Sequence, residues 1–207
     1  MIQSYLLYYS YVKIFNMRET LPIWNFLRKA KRGPQIIPPK DFGMIVAETG
    51  CGKDWKVVDA GTGSGFLAMM LANIGCKVYT YEIDEYFYEV AKKNIRNSGL
   101  RNIFLKKADI TKWIDEKNVD MVTLDMKNPE SAIKNAYNSL KYRGWLVIYS
   151  LHVEQLQRVG KELKKYNFSR ITILENFQRE WQIEGNTFTR PMTHMLAHTG
   201  FLTFARK

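Results

Sequence analysis

Four points along this chain have the residue types and spacing to bind and activate a small molecule. The stretch "DAGTGSGF" (59–66) sets Gly61, Gly63 and Gly65 in a GxGxG pattern between a β-branched run and an apolar helical one. A glycine loop at a strand-to-helix junction lets backbone N–H groups and the positive helix end face a ligand. A dinucleotide loop wants GxGxxG, with its last glycine one place later. The tighter spacing suits a ligand that lays a small polar group against the backbone, such as the amino-acid end of S-adenosylmethionine. Glu82 ends "KVYTYEID" (77–84), where a carboxylate accepts both hydroxyls of a ribose. Asp109 ends "IFLKKAD" (103–109), where a side chain takes an adenine amino group, and Asp125 ends "VDMVTLDM" (119–126). An acid closing a buried strand is either a turn residue, here before Asn128 and Pro129, or a working one.

These residues share a site only if their strands share a sheet. From Trp55 onward short β-branched runs alternate with helical patterns, the signature of βαβ units and a parallel sheet. Strands are predicted at "KVVDAG", "KVYTYEID", "IFLKKAD", "VDMVTLDM", "GWLVIYS", "SRITILENF" and "GFLTFARK". Helices are predicted at "GFLAMMLANIG", closed by Gly75, at "EYFYEVAKKNIRNSG", closed by Gly99, before "GWLVIYS", and at "VEQLQRVGKELKKY". The last two strands are joined without an obvious helix and read as a hairpin. The expected fold is α/β: a doubly wound, seven-stranded, mostly parallel, Rossmann-like sheet with an antiparallel last strand and a short N-terminal extension. All three acids and the glycine loop then fall on the carboxyl edge of one sheet, at its switch point.

Composition narrows the classes. With 46% hydrophobic and 25% charged residues in 207, the chain is an ordinary globular protein. Lys and Arg exceed Asp and Glu by 31 to 20, a net charge of +11, which is the footprint of a protein that meets phosphates. Cys51 and Cys76 form no CxxC and have no histidine placed to complete a metal site, so neither a disulfide framework nor a structural metal is expected. The opening "MIQSYLLYYSYVKIF" is too short to span a bilayer and lacks the plan of a signal peptide, so the protein is read as cytoplasmic, with no membrane partner. Residues 1–33 differ in style from 34–207 and read as a short segment before the main domain. Tyr5, Tyr8, Tyr9 and Tyr11 either stack on bases or pack as a strand. The cluster Arg28, Lys29, Lys31 and Arg32 either grips phosphates or is a solvated face.

The motifs together resemble a class I S-adenosylmethionine-dependent methyltransferase, and within that class the tRNA adenine-N1 methyltransferase family called TrmI. The resemblance is carried by "RGPQIIPPKD" (32–41), "DAGTGSGFLAMMLA" (59–72), "YEID" (81–84), "LDMKNP" (124–129), "VEQLQ" (153–157) and most specifically "HTGFLTFARK" (198–207). It implies that Gly61, Thr62, Gly63, Ser64, Gly65 and Phe66 wrap the methionine end of the cofactor. Glu82 would hold its ribose, Asp109 and Ile110 would frame its adenine, and Gln35 and Asp125 would complete the cofactor site. Asp125 is further implied as the catalytic acid beside methyl donor and target base, and Gln155, His198 and Thr199 lie near the target pocket. Of the three histidines (152, 194 and 198), His198 is read as a supporting or RNA-contacting residue, because N1 methylation needs no base before attack. The implied substrate is N1 of adenine in the T-loop of tRNA, adenine 58 or 57 and 58 both, and the implied assembly a homo-oligomer, a tetramer. Three residues depart from the family pattern: Pro38 in place of an aromatic, Phe87 in place of a basic residue, and Glu130 in place of Trp. The family's N-terminal β-rich domain is also reduced here. Three other readings compete: a small-molecule enzyme such as a corrin-ring methyltransferase, a non-catalytic RNA-binding partner subunit, and, set aside by the loop spacing, a nicotinamide-dependent oxidoreductase.

Overall fold

The structure is a computed structural model and describes residues 22–33, 36–184 and 188–207; the Tyr-rich run and Gln35 lie outside the described residues. The first described helix, α1 (Pro22–Lys29), buries Ile23 and Leu27 in the same core cluster as Phe66 and Leu67. Pro38, extended at φ −72° and ψ 162°, opens α2 (Pro39–Thr49), and its carbonyl accepts the N–H groups of Asp41 and Phe42. Gly50, at φ 73°, closes that helix in the left-handed region that glycine adopts without penalty.

The alternation then runs as the periodicity predicts. The order is β1 (Lys56–Ala60), α3 (Phe66–Asn73), β2 (Lys77–Glu82), α4 (Glu85–Ser98), β3 (Ile103–Lys107) and β4 (Val119–Leu124). A 3-10 turn (Pro129–Ala132), α5 (Ile133–Ser139), β5 (Leu140–Ser150), α6 (Val153–Leu163) and β6 (Arg170–Glu175) follow. Helix α3 is apolar on every side, and accordingly residues 66–72 are all buried. Helix α4 shows one buried stripe, Val90, Ala91 and Asn94, and is capped by Asp84 accepting from Phe87 N at 3.0 Å. The chain ends on β9 (Phe201–Arg206).

The seven strands lie in the order β3-β2-β1-β4-β5-β9-β6, with β9 antiparallel to both neighbours. Strand order reverses between β1 and β4, so the loops after β1 and β4 meet at the carboxyl edge. Two core clusters cover the faces, one around Leu71, Met121 and Phe204, the other around Val122, Ile133 and Ile148. The structure differs from expectation between β6 and β9. They pair as antiparallel neighbours but are not a tight hairpin, because the connection carries a two-stranded sheet of its own, β7 (Trp181–Glu184) and β8 (Phe188–Pro191). Two four-residue strands with few apolar positions leave too short a period to read.

Candidate active site

The glycine loop is shaped by what surrounds it. Gly61, Gly63 and Gly65 have φ of 83°, 54° and 84°. At Gly61 an added Cβ would sit 1.8 Å from the carbonyl oxygen of Asp125, so the loops after β1 and β4 touch backbone to backbone. Asp125 N donates to Ala60 O at 2.9 Å, which fixes the same junction. Gly61 N and Thr62 N both donate to Tyr81 O. On the outer side Asn94 Nδ2 donates to Ser64 O and to Lys31 O, each at 2.9 Å, and Gly33 N donates to Ser64 Oγ at 3.0 Å. Ser64 and the buried ring of Phe66 thus hold the loop and the 31–33 segment together. The Arg32 guanidinium stands 6.0 Å over that ring.

Glu82 lies beside this loop. Its Oε2 accepts from Gly63 N at 2.8 Å and its Oε1 from Asp84 N at 2.9 Å, leaving a lone pair on each oxygen for a diol. Ala108 N donates to Glu82 O at 3.1 Å, bringing the end of β3 alongside. The Asp109 carboxyl is held below its ordinary range by the Thr111 hydroxyl and backbone N–H, both donating to Oδ1, so the group is ionised. Ile110 is buried in the second core cluster and backs Asp109 rather than facing solvent.

Asp125 sits in a recess lined by Ile37, Ile45, Leu67, Thr123, Val147 and Tyr149. Removal from water, and then repulsion from Asp59, pushes its carboxyl up to about 7. Asp59 was not anticipated as a site residue. It lies fully inside, in register with Thr80 on β2 and Thr123 on β4, and both hydroxyls donate to it at 2.6 Å. Because Thr80 gives its proton to Asp59, Thr62 must donate the 2.6 Å bond between the two threonines. A chain of hydroxyls therefore runs from the buried acid to the glycine loop. Burial raises the Asp59 carboxyl above its usual value despite these donors.

The residues expected near the target pocket are each bonded within the protein. Gln155 is 7% exposed, and its amide is committed: Oε1 accepts from Leu151 N, and Nε2 donates to Met126 O and Lys127 O. It pins the loop after Asp125 instead of presenting a free amide. Thr199 is buried and donates to Asp41 Oδ2 at 2.7 Å, where Tyr149 also donates at 3.0 Å. Lys40 Nζ reaches Asp41 Oδ1 and Thr199 Oγ1, both at 2.7 Å. Sequence reasoning missed this group, although "PKD" and "HTG" were both singled out, because nothing in the sequence pairs them. His198 is half exposed, with Nδ1 2.7 Å from Glu175 Oε1 and Nε2 3.0 Å from Leu151 O. Glu175, and then the Leu151 carbonyl, raise its pKa and favour the doubly protonated ring. Phe87 packs under Gly33, where a Cβ would come within 2.9 Å of its ring, and Glu130 accepts from Arg158 Nε at 2.7 Å. Among the described residues no group of three or more His, Cys, Asp or Glu is placed to hold a metal ion.

Strand order, reversal point and glycine loop define a class I methyltransferase of Rossmann-like fold. The chain belongs to the family described as "tRNA methyltransferase complex GCD14 subunit", whose pattern matches residues 11–189. The tRNA (adenine(57)-N(1)/adenine(58)-N(1))-methyltransferase TrmI of Methanocaldococcus jannaschii is 35% identical over 214 aligned residues, which cover 89% of this chain and 76% of that protein. Among solved structures, the tRNA (m1A58) methyltransferase TrmI of Aquifex aeolicus superposes with a TM-score of 0.82 at 27% identity, covering 88% of this chain and 74% of that one. An S-adenosylmethionine-dependent O-methyltransferase of Thermotoga maritima superposes with a TM-score of 0.79 at 30% identity, covering 94% and 69%.

Proposed function

We propose that this chain methylates N1 of adenine in the T-loop of tRNA, at adenine 58 or at 57 and 58 both, using S-adenosylmethionine. The observation that carries the reading is Asp125, a recessed carboxyl to which no described side chain donates, on the edge it shares with the glycine loop. The residues present fit the cofactor. Glu82 keeps lone pairs for two ribose hydroxyls, Asp109 keeps Oδ2 for an amino group, and the 61–65 backbone takes the methionine end. The bound cofactor supplies an electrophilic methyl group on a sulfonium.

The adenine must leave its stack to bring N1 and N6 up to Asp125, at a cost of a few kcal/mol that contacts to the flipped base offset. N1 attacks as a neutral lone pair, so no proton is removed first and alignment does most of the work. The ring gains positive charge as N1 is alkylated. Asp125, accepting an N6 hydrogen, stabilises that charge and selects adenine. The net charge of +11 supports an RNA partner. Exposed apolar side chains on the β7–β8 hairpin, Trp181, Ile183 and Phe188, support a homo-oligomer, which we take to be a tetramer in the cytoplasm. We also take residues 1–33 as a segment before the methyltransferase domain at 34–207. The direct test is incubation with labelled S-adenosylmethionine and an unmodified tRNA transcript, then nucleoside digestion. N1-methyladenosine is the expected product; cofactor binding without any label in RNA refutes the substrate.

A further inference from the structure

The opposite edge of the sheet carries a groove that the methyl-transfer site does not use. It has a volume of about 440 Å³ and is lined by Thr49, Trp55, Asp120, Lys141, Tyr142, Arg143 and Arg206. Strand β1 is five residues long, which places the groove roughly 17 Å from the glycine loop. A bulge builds it. Val119 pairs with Leu140 and Met121 with Trp145, so Asp120 alone faces residues 141–144 of β5. The extra residues loop out, leave Tyr142 82% exposed, and hold Arg143 at φ 61°. Lys207 pins the bulge: Arg143 N donates to Lys207 O at 2.7 Å and Lys207 N to Gly144 O at 3.0 Å.

The charges in the groove are unequal in kind. Lys141 pairs with Asp120, whose other oxygen takes Lys56 N, and Arg170 lies 3.5 Å from Glu48. Arg143 and Arg206 have no acidic partner among the described residues. The Arg206 guanidinium carbon stands 4.7 Å over the Trp145 ring, a contact that helps to place the guanidinium. An arginine kept in the left-handed region, beside a second unpaired arginine and an exposed tyrosine, points to a use rather than to a turn.

We propose that this groove is a second RNA contact, taking a nucleotide outside the target loop, with its phosphate on Arg143 and Arg206 and its base against Tyr142 and Trp55. Guanidinium groups match phosphate in a bidentate fork, and every base has a face that stacks on an aromatic ring. The inference rests on the RNA reading above and deepens it, because an RNA gripped on both edges of the sheet is registered as well as bound.

The test uses the full chain and two labelled probes, a tRNA transcript and a short uridine oligonucleotide that has no adenine to methylate. R143G removes a charge where glycine is the favoured residue, so its Tm should not fall. R143G/R206A should weaken both probes about tenfold and flatten the dependence of log Kd on log salt by about 0.7, for the one phosphate lost. With tRNA at saturation its kcat should equal that of the unaltered chain. Unchanged affinity and salt slope, with methylation intact, overturn the groove and spare the proposed function. Weakened oligonucleotide binding in a chain that methylates no tRNA upholds the groove and sinks the substrate. Uridine monophosphate competing as well as the oligonucleotide overturns the strand reading in favour of a free nucleotide.

Discussion

Asp125→Asn should make the protein more stable and much less active, and the pH dependence of the gain is diagnostic. The carboxyl titrates at about 7 against an ordinary 3.8. Three units at about 1.4 kcal/mol each amount to about 4 kcal/mol. Asp125 is only partly buried, so this is an upper bound. The sign follows from proton counting. Below about pH 4 the group is protonated folded or unfolded, and it costs nothing. Between about 4 and 7 the unfolded chain ionises while the folded one holds its proton, so native stability falls as pH rises; above 7 the penalty is complete. Asparagine fills the same space without a charge. Its advantage should therefore be near its maximum at pH 8 and about 1.5 kcal/mol at pH 5, read as Tm at about 2–4 °C per kcal/mol. Turnover on tRNA should fall on the order of 100-fold, as when one stabiliser of transition-state charge is removed. The unaltered enzyme should gain activity as pH rises through about 7. A variant no more stable at pH 8, or equally stabilised at both pH values, refutes the picture of a desolvated acid repelled by Asp59.

Gly61→Ala forces a methyl group into the Asp125 carbonyl at 1.8 Å and an unfavourable φ of 83°. It should cost at least about 2 kcal/mol and abolish cofactor binding measured by titration calorimetry. Asp41→Ala leaves Lys40, 9% exposed in its side chain, without its carboxylate, and removes an acceptor that Tyr149 and Thr199 share. A loss of about 3–5 kcal/mol in denaturant unfolding is expected. His198→Ala should be less stable than the parent at pH 6, with the difference fading by pH 9. The raised folded pKa confers stability that is present below the unfolded value of 6.5 and lost as pH climbs through the folded one.

What the sequence disclosed and what it hid divide along range. Glycines at 61, 63 and 65 and acids at 82, 109 and 125 are legible because each sits at the end of a run whose period announces a strand, and parallel strands put like ends on one edge. Asp59 was hidden in the middle of such a run. Its meaning depends on Thr80 and Thr123, which become its neighbours only once β2 and β4 are known to flank β1 in that register. Gln155 and Thr199 are expected near the target pocket, but the groups they bond are not legible, since a motif fixes position and not which group a side chain grips. The β7–β8 hairpin escaped because four-residue strands carry almost no periodicity.

The bond from Thr199 to Asp41 joins residues 158 apart in sequence. It has a consequence for how the enzyme comes into being on the ribosome. β9 is made after every other described strand, yet it lies between β5 and β6. Until residues 198–206 emerge, β6 has no partner and Asp41 and Tyr149 lack one of their hydroxyl neighbours. The edge built from β1 to β4 could assemble earlier in synthesis, whereas the wall behind Asp125 closes only after β9 has emerged. On the proposed function, a nascent chain would thus acquire a place for the methyl donor before a place for its target, and deletion of residues 198–207 would leave the first without the second.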